Sequence, residues 1–408
     1  MPGREFFATR TVEQALRDLP AGRRTPVERV ALTGALRRVP AEDVRAPAPL
    51  PGFPRSTVDG FAVRAADTYG ASESLPAYLQ VAGAVLMGVE PDVEVGRGRA
   101  AAIPTGGALP PGADAVVMVE HTQETMPGTV EVVRPAAPGD GVVRADEDVA
   151  AGAALVPAGR QLRAQDLGML AAAGFTEVAV HARPRVAVLA TGDEVVPAGT
   201  VVLRAGQVRD ATSSALAGMV HEAGGAPDLR GIVGDDAGLL EKAMREALAD
   251  SDLVVVSAGS SVGTRDETAG VVARLGPPGI VCHGVALKPG KPTLLAECDG
   301  VPVIGLPGNP LSALVVFRLL GVPVVRRLAG CTRPPADRVV RARLARPLAS
   351  AAGRLDVVQV ALDDDVATPL FGASALLSVL TAADGYLTVP EPATGLDAGT
   401  EVDVTLYG

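Results

Sequence analysis

A chain of 408 residues, with 48% hydrophobic and 21% charged side chains, is composed as a globular protein too long for one core, so two to four domains are expected. Its net charge of −10 argues against nucleic acid as the main partner, which would require a basic face. Cys282, Cys298 and Cys331 lack CxxC spacing, no signal-peptide core follows Met1, and the longest apolar stretch, Ala313 to Val325, is broken by Arg318 and Pro323. A cytoplasmic protein with neither disulfide framework nor membrane span is therefore expected.

In chain order, residues 1–50 read as helical and then extended. Thr11-x-x-Gln14 and Thr25-Pro26-x-Glu28 both have capping-box spacing, the second with proline at the first helical position, so each predicts a helix start. Ala46-Pro47-Ala48-Pro49-Leu50-Pro51 cannot hold a helix and reads as an extended crossing. From about Arg55 to Asp140, β-type runs at Tyr78–Val81, Val116–Val119 and Val130–Val133 alternate with Gly/Pro turns, which predicts a small barrel or sandwich. Two loops there carry polar side chains: Asp59 precedes Gly60 and an apolar strand, and Thr105 sits in Ile103-Pro104-Thr105-Gly106-Gly107. Taken singly, each reads as a structural turn. Residues 141–183 read as a return to the first unit, with a helix over Gln165–Ala173 stopped by Gly174.

From Arg185 to Val325 strands and helices alternate. Strands are expected at Val186–Ala190, Leu229–Val233, Leu253–Val256 and Val303–Leu306, with helices at Thr212–Glu222, Ala237–Leu248 and after Pro310. This is the pattern of a doubly wound, mostly parallel sheet, whose ligands sit beyond the carboxyl ends of its strands. Thr191-Gly192-Asp193-Glu194, Asp235, the loop Ser257 to Asp266 and Pro307-Gly308-Asn309 all fall there. Small residues running into a helix start, with Asp266 at or near the N-cap, make a cradle for anions such as phosphate. A carboxylate at such a cradle implies an intervening divalent cation. Of 37 basic residues only Lys242, Lys288 and Lys291 are lysines, and two of these share Leu287-Lys288-Pro289-Gly290-Lys291-Pro292. Their ammonium groups would balance a polyanionic substrate. Residues from about Arg333 onward read as a second small β unit. The expected division is 1–50 with 141–183, an inserted β domain at 51–140, an α/β domain at 184–330 and a β domain at 331–408.

Together, STVDGFAV (56–63), PTGGALPPGADAVV (104–117), TGDE (191–194), GQVRD (206–210), SAGSSVGTRD (257–266), LKPGKP (287–292) and GLPGNPLSA (305–313) resemble the molybdopterin molybdenumtransferase family, MoeA in bacteria and the E domain of gephyrin in animals. The resemblance implies a four-domain homodimer that inserts molybdate into adenylylated molybdopterin, releasing AMP and molybdenum cofactor with a divalent cation, usually Mg²⁺. It counts a molybdopterin adenylyltransferase among candidate partners. On matching positions it implies that Glu194 and Asp266, with Asp235, serve the metal and molybdate end, and that Lys288 and Lys291 hold anionic groups. Ser257, Gly259, Ser261 and Gly263 would cradle phosphate, and Pro307, Gly308, Asn309 and Pro310 would line the pocket. Asp59 and Thr105 would come from the second subunit. The chain departs from the family pattern at Asp146, Thr212, Ala258, Ser260, Thr264 and Glu267. Two other readings are a non-catalytic molybdopterin-binding scaffold, disfavoured by the presence of both Glu194 and Asp266, and a molybdopterin adenylyltransferase, disfavoured by the flanking units.

Overall fold

The structure, a computed structural model, describes residues 9–20, 22–257 and 262–407, with side chains of the helix opening at Val262 described from Glu267 onward. The chain forms two compact units: Met1–Glu42, Ala158–Arg163 and Glu177–Gly408 make the first, and Asp43–Pro157 with Ala164–Thr176 the second.

At the centre of the first unit lies a six-stranded sheet of β1 (Arg185–Thr191), β2 (Ala226–Val233), β3 (Leu253–Ser257), β4 (Pro278–His283), β5 (Leu294–Cys298) and β6 (Val301–Leu306), in the order β2-β1-β3-β6-β5-β4. The first four in that order run parallel, while β5 and β4 are antiparallel at one edge. The sheet is therefore mixed. Its reversal has a local cause: Asp299 and Gly300 both take positive φ, 51° and 89°, between β5 and β6. That is the geometry of a tight two-residue hairpin, which forces antiparallel pairing.

Strand β3 explains why the sheet needs helices on both sides. Leu253, Val254, Val255 and Val256 are each 0% exposed, and alternate residues enter opposite cores. On one face Leu216 and Val220 of α1 (Thr212–Ala223) pack with residues following β6; on the other, Leu240, Met244 and Ala247 of α2 (Ala237–Asp250) pack with Val271 and Val272 of α3 (Val262–Val272). After β6 come α4 (Pro310–Val316) and α5 (Val322–Leu328), joined by a π turn at Phe317–Gly321.

Two local expectations fail. Asp266 is expected at or near the N-cap, but α3 opens at Val262, four residues earlier, so Asp266 lies inside the helix. No proline stands in Val262-Gly263-Thr264-Arg265 to prevent those residues from being drawn into the first turns. Thr25 was expected to cap a helix, yet Val27–Ala31 is a strand antiparallel to Glu177–His181. The Thr25 hydroxyl instead donates to the Ala182 carbonyl at 2.7 Å, and Glu28 pairs with Arg38. A long-range ladder outweighs the local capping signal. At Val12–Asp18 the box does form: Thr11 Oγ1 accepts from the Gln14 N–H at 3.1 Å, and Gln14 Oε1 accepts from the Thr11 N–H at 3.0 Å.

The C-terminal strands β7 (Val339–Leu344), β8 (Leu355–Asp363), β9 (Val366–Pro369), β10 (Gly385–Val389) and β11 (Glu401–Leu406) close on themselves. The pairings β8–β9, β9–β7, β7–β11, β11–β10 and β10–β8 complete a small barrel around Leu344, Val360, Leu387 and Val404. The second unit holds one six-stranded sheet in the order Ala115–Met118, Gly60–Val63, Arg99–Ile103, Ala77–Ala84, Thr129–Val132, Thr122–Met126. Among the described residues no helix is long and apolar enough to cross a membrane.

Candidate functional site

The carboxyl ends of the parallel strands carry the first group of polar side chains. Thr191 Oγ1, at the end of β1, donates to the Ser257 carbonyl at the end of β3 at 3.3 Å, and both residues are buried. Asp193 Oδ1 accepts from the Asp235 N–H at 3.0 Å, which ties the loop after β1 to the loop after β2. Between them Gly192 has φ +131°, and a Cβ there would lie 2.6 Å from Glu194 Oε2. Glycine is needed for this backbone and for the Glu194 carboxylate to fold back over the turn. Partial burial raises the Asp235 carboxyl above the usual aspartate range; the Asp193 N–H opposes this, and the charges of Asp193 and Glu194 add to it. The next loop feeds α1, whose Ser213 N–H donates to Asp210 Oδ1 at 3.0 Å beside buried Thr212.

Mutually repelling carboxylates offering only oxygen donors suit a hard divalent cation such as Mg²⁺ in kind. Among the described residues, no three His, Cys, Asp or Glu side chains already converge as a metal-holding group. The third expected ligand, the Asp266 side chain, lies outside the described residues, as do Gly259, Ser261 and the departures at Ala258 and Ser260. Gly263 is the second residue of α3.

A second group lines a cleft of about 710 Å³ in the first unit. Lys288, Lys291, Pro307 and Asn309 contribute from the sheet side. The barrel contributes Arg354, Asp356, Gln359, Phe371 and Ser374, none of which the sequence marked. Asn309 Nδ2 donates to Ser374 Oγ at 2.8 Å, and Pro310 opens α4 directly behind it. Gly308, between Pro307 and Asn309, is half-buried. Asp356 is 3% exposed and receives Arg354 Nε at 2.8 Å and Lys288 Nζ at 3.4 Å. Leu287–Lys288 also ladders in parallel with Leu355–Asp356. Lys291 is exposed and has no ion-pair partner among the described residues. Arg354, just before β8, and Asp356, its second residue, flank and interrupt an otherwise apolar start, Leu355-Asp356-Val357-Val358. That was the available signal, though only the barrel's folding turns it toward the lysines.

In the second unit, Asp59 Oδ1 accepts from the Thr105 N–H at 2.7 Å and from Thr105 Oγ1 at 3.0 Å. The two loops singled out in the sequence thus meet, and the hydrogen bonds hold the Asp59 carboxyl below the usual range. Asp146 takes φ +64°, a left-handed backbone in which aspartate is tolerated and glycine is easier.

The sequence matches the family models described as "MoeA N-terminal region (domain I and II)" over residues 10–174, "Probable molybdopterin binding domain" over 187–327 and "MoeA C-terminal region (domain IV)" over 341–407. The chain belongs to the MoeA family. It is 35% identical to molybdopterin molybdenumtransferase 2 of Mycobacterium tuberculosis, covering 92% of this chain and 94% of that one. It is 31% identical to molybdopterin molybdenumtransferase of Bacillus subtilis, covering 93% and 89%. A crystal structure of molybdopterin biosynthesis moeA protein from Pyrococcus horikoshii superposes with a TM-score of 0.85 at 30% identity, covering 98% of this chain and 100% of that chain. The MoeA assignment thus takes in both units and the C-terminal barrel, beyond the α/β part alone.

Proposed function

We propose that the chain is a molybdopterin molybdenumtransferase, inserting molybdate into adenylylated molybdopterin and releasing AMP and molybdenum cofactor. The observation that carries this reading is a cleft lined by Lys288 and Lys291 in a chain 35% identical, over 92% of its length, to a named molybdenumtransferase. Lys291, with no ion-pair partner among the described residues, is available to an anionic group of the substrate. Lys288 is steadied by Asp356 and presents its charge from a fixed position. Pro307 and Asn309 shape the cleft wall, and Ser257 closes the strand end from which the phosphate loop departs. Glu194, Asp235 and Asp266 would hold Mg²⁺. When bound, that ion would neutralise phosphate charge as the phosphoanhydride breaks.

The same reading makes the working form a homodimer in which Asp59 and Thr105 of a second copy complete the site. It divides the chain into four domains at 1–50 with 141–183, 51–140, 184–330 and 331–408. The test is a single-turnover assay with adenylylated molybdopterin, molybdate and Mg²⁺. The wild type should release AMP, and Glu194→Gln should slow release about a hundredfold while leaving the melting temperature unchanged. No AMP from the wild type would sink the reading; full release by the variant would remove Glu194 from the metal site.

A further inference from the structure

Gln359 lies on β8, is 3% exposed, and lines the cleft. Its Oε1 accepts a hydrogen bond from the Tyr407 hydroxyl. Its Nε2 is buried and finds no acceptor among the described residues. A buried amide donor left unmade is costly, and native structures hold few of them. An acceptor arriving with a ligand would satisfy it.

The surroundings narrow what that acceptor is. Val357, Leu370 and Val379 line the same cleft, while its positive charges sit on Lys288, Lys291 and Arg354. Phosphate oxygens have cations to bind; a neutral amide among aliphatic side chains suits a neutral acceptor, such as a ring carbonyl. In this structure the Tyr407 hydroxyl meets the Oε1 end of the amide. It donates there, so the free end is N–H. The Tyr407 ring lies 5.0 Å below the Arg318 guanidinium and 5.8 Å from the Tyr386 ring, which fixes its position. Burial pushes the Tyr407 phenol up to about 12, so it stays a proton donor across the working pH range.

We propose that Gln359 is a specificity-determining residue which donates Nε2–H to a ring carbonyl of the ligand's heterocycle, with Tyr407 as the positioning residue that keeps the amide in this orientation. The ligand class, an oxo-pteridine, rests on the molybdenumtransferase reading. The pairing of an orphan donor on a residue that lines the cleft with a hydroxyl bonded to the other end of its amide does not.

The experiment is a fluorescence titration of the full chain with pterin, which carries a ring carbonyl, and with diaminopteridine, which has an amino group in its place. Adenylylated molybdopterin is titrated in parallel. The wild type should favour pterin about tenfold, the worth of one such hydrogen bond. Gln359→Leu and Tyr407→Phe should each bring the ratio near one, the second because the freed amide can turn either end to the ligand. Tyr407→Phe removes a single hydroxyl, so it decides the matter if Gln359→Leu fails to fold. A wild-type ratio of one or below, or a tenfold ratio kept in Tyr407→Phe, overturns the proposal. Wild type that binds adenylylated molybdopterin without preferring pterin removes the inference alone. Wild type that prefers pterin but never binds the adenylylated substrate removes the transferase reading alone.

Discussion

Asp59 shows how much a single residue's setting is decided by its neighbour. Its carboxylate is exposed, and its lowered pKa comes first from the Thr105 backbone N–H, then from the Thr105 hydroxyl, with slight desolvation opposing. Thr105→Val removes only the hydroxyl. The Asp59 pKa should then rise toward the ordinary 3.8 yet stay below it, because the N–H still donates. Since the folded value is depressed, the stability linked to this group is present above pH 3.8 and is lost as pH falls through the lowered value. The variant should lose part of that stability at neutral pH, and none well below the lowered value, where the carboxyl is protonated whether the chain is folded or not. Carboxyl-carbon NMR titration of both proteins checks this; an unchanged Asp59 midpoint would mean the hydroxyl bond does not form in solution. The cysteines show the opposite influence: all three are free, and burial raises each thiol, Cys298 to about 11, so none is an activated nucleophile.

At the scale of elements, the turn Lys288–Lys291 divides its two charges between structure and ligand. Lys288 is spent partly on Asp356, whereas Lys291 has no such partner among the described residues. Lys291→Met should therefore weaken binding of the adenylylated substrate at unchanged melting temperature, and the loss should shrink as salt screens an exposed charge. Calorimetry at low and high salt gives the comparison, and wild-type affinity in the variant would reassign Lys291 to the surface. Elements of this kind were legible where one segment carries its own signal. The β-branched run of β3 and the Thr11 box act over a few residues, and the structure keeps them. The Thr25 box failed because its hydroxyl answers to Ala182 and Leu328, far along the chain. The hairpin at Asp299–Gly300 is written in the sequence as a plain Asp-Gly pair, a signal as local as those of β3 and Thr11. The barrel's half of the cleft was not legible, because Arg354, Asp356 and Gln359 become site residues only through pairings of β8 with Leu287–Lys288, β9 and β10.

For the whole molecule the open matter is whether a working site needs two chains. Asp59 and Thr105 belong to one compact unit, and Glu194, Asp235, Lys288 and Lys291 to the other. A site built from both kinds of residue can be assembled within a chain or across a dimer, and the two arrangements differ in what happens when lesions are mixed. Asp59→Ala and Asp266→Ala should each give a weakened or inactive protein. In a mixed dimer with shared sites, one site carries both lesions. The other draws Asp266 from the Asp59→Ala chain and Asp59 from the Asp266→Ala chain, and is intact. Exchange of subunits between the two purified variants should therefore restore part of the AMP release that each has lost. If both residues served a site within one chain, every site would keep one lesion and mixing would recover nothing. Proof of exchange comes from differently tagged chains recovered in one complex, and an unrecovered activity alongside that complex would place Asp59 and Asp266 in the same chain's site.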